Sequence, residues 1–140
     1  LTAVGDTNIL YNKATLKFKF QKHWVDMGAT EKNLYALNDT QKHTTNRLQN
    51  YKNLYIFNGK KILIIDQTPT TAFKDSVDIA IISHKPMKHW EDLAGKVKAR
   101  HYIADLSNSN YYIDRWKKEA LLYKSNFTDC RKGAVELVVE

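Results

Sequence analysis

Two histidines stand where the pattern of a buried strand stops, and imidazole nitrogens at such a place can ligate a metal or carry a proton. The apolar run Ile79-Ala80-Ile81-Ile82 breaks off at Ser83-His84, and His89 follows five residues after His84, where a helical pattern begins. A parallel strand delivers polar side chains to the carboxyl edge of its sheet in this way, and open α/β folds place their sites there. A plainer reading is that His84 ends a strand and His89 starts a helix, each satisfied by water or backbone. A second constellation, Ser107-Asn108-Ser109, follows Asp105 and precedes a helix. Backbone N–H groups at a helix start with serine hydroxyls alongside suit a phosphate, and simple N-capping is the bland alternative.

A third group is Tyr111-Tyr112 with Arg115, Lys117 and Lys118. Rings beside cations can stack bases of a single strand, although tyrosines at helix starts more often pack on the core edge. Acyl-transfer chemistry has no support, since neither Ser107 nor Ser109 sits in a Gly-x-Ser-x-Gly elbow, and a Walker-type phosphate loop is lacking.

Positioning these groups falls to an alternation of strands and helices. Ile79 to Ile82 predicts a strand, and Met87 to Val97 a helix with Trp90, Leu93, Ala94 and Val97 on one face. Tyr102 to Ala104 predicts the next strand. The longest helix follows over Tyr111 to Lys124, with Ile113, Trp116, Ala120 and Tyr123 inward and an Asp114–Lys118 pair outward. A loop over Asn126 to Lys132 then leads to a strand over Ala134 to Val139. Short strand–helix–strand connections require a largely parallel sheet here.

The first half reads as antiparallel. Asn58-Gly59 between Asn53 to Phe57 and Lys60 to Ile65 is the strongest short-range hairpin signal, because a type I′ turn wants positive φ at both central residues. Gln67 to Asp75 is a loop. Upstream, the pattern gives a strand over Val4 to Tyr11, an alternating strand over Ala14 to Phe20, a helical turn over His23 to Gly28 and a strand over Leu34 to Leu37. Thr40 to Asn50 reads as a polar loop or exposed helix. The expected fold is α/β: a mixed sheet with a hairpin-rich antiparallel first half and a βαβαβ second half.

With 140 residues, 43% of them hydrophobic, the chain suits one domain with a real core, residues 1–140. No apolar run approaches the roughly 20 residues that span a bilayer. The net charge of +7, from 22 Lys+Arg against 15 Asp+Glu, favours polyanionic partners or a lysine-rich solvated surface. One cysteine, Cys130, excludes an internal disulfide. The chain starts at Leu1 without a methionine or signal-like segment, and so reads as a piece of something larger.

The order of hairpin, Ile64-Ile65-Asp66, loop, apolar strand and Ser83-His84 resembles the opening of a metallo-β-lactamase-type hydrolase domain. That likeness makes the fold partly metallo-β-lactamase-like and reads Ser83 to His89 as the metal motif, with the outer histidines in place and both inner ligands replaced. Pro86 offers no donor atom, and a lysine ammonium at Lys88 repels a divalent cation. The weak metal candidates that remain are His84, His89 and Asp66, for zinc or manganese. Asp105 is a further candidate ligand, with loop capping as its plainer role. An intact two-metal site is not expected.

More specifically, the second half of the chain, best from about residue 53 to the end, resembles the carboxy-terminal soluble region of ComEC-type competence proteins in a Bacteroidetes-like form. Asp78 to Ser83, Ala104-Asp105-x-Ser107-Asn108-Ser109, Trp116-Lys117-Lys118-Glu119, Lys132-Gly133-Ala134 and the hairpin over Asn53 to Asp66 carry the resemblance. It implies a domain without catalytic residues or cofactor, belonging to an inner-membrane DNA-internalisation channel and facing the periplasm. Its partners would be single-stranded DNA, met through Ser107, Asn108, Ser109, Arg115, Lys117 and Lys118, or the membrane-channel part of the same protein. The alternatives are a metal-dependent phosphodiesterase and a purely structural interaction domain.

Overall fold

Asn58 and Gly59 adopt φ of 47° and 77°, so the turn closes with the positive angles its sequence requires. The computed structural model describes residues 2–5, 33–36, 48–133 and 135. The chain divides into two compact units, Leu1–Gln41 and Lys42–Glu140. In the first, β1 (Thr2–Gly5) pairs in parallel with β2 (Asn33–Ala36). β2 falls within a residue of the expected Leu34–Leu37 strand. β1 includes Val4 and Gly5 of the stretch expected over Val4 to Tyr11, and the remainder of that stretch lies outside the described residues. The segments expected over Ala14 to Phe20, His23 to Gly28 and, apart from Val135, Ala134 to Val139 lie outside the described residues.

The second unit holds a six-stranded sheet in sequential order: β3 (Leu48–Tyr51), β4 (Leu54–Phe57), β5 (Lys60–Ile65), β6 (Ser76–Ile82), β7 (Lys98–Ala104) and β8 (Phe127–Asp129). β3, β4 and β5 are antiparallel, whereas β5 to β8 are parallel. The mixed α/β architecture is therefore as expected. β6 and β7 begin earlier than the expected Ile79 and Tyr102, and three other differences are larger. Residues 48–50, read as part of a polar loop or helix, belong to β3, where Leu48 and Asn50 are buried and Gln49 is exposed. A polar residue in an inward slot hid the alternation. β8 lies in the segment read as a loop, because three residues, Phe-Thr-Asp, become a strand only by pairing with β7. The helix expected over Met87 to Val97 is a single turn, α1 (Glu91–Ala94).

The long helix, α2 (Asn110–Leu122), has Ile113, Trp116 and Ala120 buried as expected, but Tyr123 is half exposed. It follows the last helical residue, where the turn closes and its direction departs from the buried face. The core lies on one face of the parallel strands. Ile65, Ala80, Ile82 and Tyr102 meet Met87, Trp90, Leu93, Val97, Trp116 and Ala120 there. On the other face the register aligns Ile62 with Ile79, Ile64 with Ile81, and Ile81 with Ile103. Ile62, Ile64, Ile79 and Ile81 on that face are half-buried. Among the described residues no helix is long and apolar enough to cross a membrane.

Candidate functional site

β6 and β7 end side by side, and the chain beyond them is held by a network of side chains. Ser83 is 5% exposed, and its N–H donates to the Ile65 carbonyl at 2.9 Å. His84 and Lys85 then take left-handed φ of 57° and 52°. Two non-glycine residues in this region cost about 1–3 kcal/mol each unless their surroundings hold them there. The segment after β7 supplies that hold. Ser107 Oγ accepts from the His84 N–H at 2.6 Å, and Asn108 Oδ1 accepts from the Lys85 N–H at 2.8 Å. Asn108 Nδ2 donates to the Ile82 carbonyl at 2.7 Å. Asp105 completes the network, taking the hydroxyl protons of Ser83 and Ser107 and the Ser107 N–H at 3.0 Å.

The sequence thus brings Ser107 and Asn108 to the expected edge, where both side chains bond to the chain's own backbone. Ser109 is exposed and caps α2 in an extended conformation, with its carbonyl rather than its hydroxyl accepting from Tyr112 and Ile113, each at 3.1 Å. Asp105 thus acts as a loop group, the plainer of its two expected roles. The spacing of Asp, Ser and Asn was the available signal for this network. Its targets two dozen residues upstream were not legible.

The histidines separate. His84 is exposed, while His89 is drawn toward α2. His89 Nε2 lies 3.3 Å from Arg115 Nη2, which has only protons to give, so this nitrogen accepts. Its Nδ1 then carries the proton toward Glu119 Oε1 at 3.4 Å. Asp66 accepts from Asn53 Nδ2 at 3.0 Å. Among the described residues no three His, Cys, Asp or Glu side chains converge to hold a metal ion. With a guanidinium against His89 Nε2, this donor set does not fit a divalent cation.

Glu119 is the hub the sequence did not flag. It accepts from the Trp90 N–H at 2.6 Å and from Arg115 Nε at 3.0 Å, tying the start of α1 to the last turn of α2. Partial burial pushes its carboxyl up, but the Trp90 amide, Arg115 and His89 outweigh this and hold it below its ordinary 4.5. Asp129 is also held low, first by the Arg131 guanidinium, which grips it at 2.9 and 3.2 Å. Asp114 pairs with Arg131 Nη1 at 2.8 Å, not with Lys118 as expected. The β8 strand and the turn after it bring this stronger fork-shaped partner within reach.

Both carboxyls have lowered folded values, so their contribution is complete above their unfolded values and is lost as pH falls through the folded ones. Urea unfolding from about pH 6 to about pH 3 is expected to show stability declining below roughly pH 4.5. Glu119→Gln should flatten that decline; an unchanged slope would remove Glu119 from its cause.

At the start of α2, Tyr111 is 67% exposed and meets Tyr112 edge to face, with centroids 5.3 Å apart. Tyr112 leans on buried Trp116 at 5.7 Å, and Lys85 Nζ lies 5.0 Å from the Tyr112 ring centre. The network that fixes the Lys85 backbone therefore also sets an ammonium over this aromatic pair. Lys118 is exposed, and Arg115 is spent on Glu119 and His89. Lys117 lies 3.9 Å from Asp129 and lines an open cavity of about 720 Å³ with Arg131 and Lys132.

A family model described as the ComEC C-terminal domain matches residues 1–138. Searches of curated proteins and of solved structures give no match.

Proposed function

Because the chain belongs to the ComEC C-terminal domain family, which ties it to competence DNA uptake and to a membrane protein, we propose that it is a non-catalytic domain supporting single-stranded DNA on its way through the channel. In this reading the domain faces the periplasm. It meets the strand at the carboxyl edge of the sheet, where Tyr111 offers a ring and Lys85 and Lys117 offer charge.

One observation carries the reading: the exposed Tyr111 ring is braced edge-on by Tyr112, which itself leans on buried Trp116 and has Lys85 Nζ 5.0 Å from its ring centre. A ring held in this way can stack a base without ordering itself first, and stacking tolerates any sequence. The net charge of +7, with lysines in excess, suits backbone attraction more than base reading. His89, engaged by Arg115 and Glu119, supports a role without metal chemistry. Ser107, Asn108 and Ser109 act in this reading by shaping the edge, with Ser109 the one whose hydroxyl is open to a phosphate.

Fluorescence anisotropy with a labelled single-stranded oligonucleotide tests it. Affinity is expected to fall with salt, and Tyr111→Ala to weaken binding about tenfold, in line with about 1–3 kcal/mol per stacked base. Lys85→Ala should lower the magnitude of the salt slope by about 0.7. Absence of salt-dependent binding would leave the domain a brace for the channel. Chelator-sensitive cleavage of the oligonucleotide would overturn the non-catalytic reading.

A further inference from the structure

The far end of α2 carries groups that DNA contact does not use. Leu121, Leu122 and Tyr123 are 73%, 82% and 50% exposed. Successive helical residues point about 100° apart, so these three spread around the helix end instead of lining one face. Lys124 then turns left-handed at φ 53°. The Ser125 N–H reaches the Ala120 carbonyl at 2.9 Å, and the Lys124 N–H reaches that of Leu121 at 3.1 Å. This paired closure is a Schellman motif, and it satisfies two carbonyls that would otherwise face water. The tip therefore presents apolar side chains over a backbone that is partly capped.

The charge around it is positive. Lys118 lies one turn before Leu121 and Leu122, and Lys124 follows Tyr123; neither has an ion-pair partner among the described residues. Nearby carboxylates are committed elsewhere: Asp114 and Asp129 to Arg131, and Glu119 to Arg115. A peptide-binding groove reads one face of a helix. A convex tip that is apolar in several directions is better matched by a fluid boundary that closes around it, and tyrosine suits that boundary because it pairs an apolar ring with a polar end. We infer that the carboxyl end of α2 docks on an anionic lipid surface. Leu121, Leu122 and Tyr123 enter the headgroup boundary, while Lys118 and Lys124 meet the lipid phosphates.

Vesicle flotation of the whole 140-residue chain tests this. The protein is expected to float with vesicles of phosphatidylcholine and phosphatidylglycerol, not with phosphatidylcholine alone, and to be released by salt. The double change Leu121→Ser with Leu122→Ser should lower vesicle affinity about tenfold or more while leaving circular dichroism and oligonucleotide affinity unchanged. Lys118→Glu with Lys124→Glu should cost about tenfold. Failure to float, or flotation indifferent to the leucine changes, overturns the inference. So does a lipid-free dimer that the leucine changes dissolve, which would make a second copy the occupant.

Discussion

Trp90→Ala is expected to cost about 3–5 kcal/mol of stability, a large share of what a domain of this size possesses. Trp90 is fully buried. Its ring meets Tyr102 at 4.9 Å and Phe127 at 5.4 Å, both edge-on, and its Nε1–H donates to Ser125 Oγ at 3.3 Å. One side chain thus joins the segment after β6 to β7, β8 and the loop after α2. Truncation leaves a cavity that three separate elements would have to collapse to fill. Urea unfolding followed by far-ultraviolet circular dichroism measures the loss. Trp90→Phe, which keeps ring contacts and gives up the weak Nε1 bond, should cost clearly less. Equal losses for the two would show that the hydrogen bond, not the packing, matters.

Asn108→Ala should cost about 2–3 kcal/mol and also loosen the strand-edge site. The side chain is 5% exposed and bonds in both directions, to the Lys85 N–H and the Ile82 carbonyl. The Ile82 carbonyl also accepts from the Asp105 N–H at 3.1 Å, so the group left without a partner is the Lys85 amide. That amide belongs to the second of two left-handed residues, which makes the loss structural as well as energetic. Asn108→Asp should be worse, because it removes the donor and sets a carboxylate where the amide now lies 3.1 Å from Asp105 Oδ1. Hydrogen exchange should report faster opening at His84 and Lys85. Oligonucleotide affinity should fall with it if Lys85 acts from its place over Tyr112. Unchanged exchange at these two amides would mean that Asn108 does not hold the turn.

The two changes locate what was legible beforehand. Asn58-Gly59, the run Ile79 to Ile82 and the apolar spacing of Ile113, Trp116 and Ala120 each carry their structure locally, through turn chemistry or periodicity. Leu48 to Tyr51 and Phe127 to Asp129 do not. The first places Asn50 in a buried slot, and it follows with a two-residue turn in which Lys52 takes positive φ at 56° without glycine. The second is too short to have a period.

The candidate site divides in the same way. Its place at the carboxyl edge follows from an apolar strand that stops at Ser83, and Pro86 and Lys88 at the inner ligand positions argue against a two-metal centre. The sequence also specified a ComEC-type likeness, which the family match supports over nearly the whole chain. Partners distant in sequence were decided by the fold alone. Ser107 and Asn108 reach back to His84 and Lys85, Glu119 gathers Trp90, Arg115 and His89, and Arg131 takes Asp114 from Lys118. Periodicity and turn chemistry act over a few residues and can be read along the chain. A hydrogen bond or ion pair depends on which side chains the packed sheet brings within about 3 Å, and that is settled only when β6, β7 and α2 lie together.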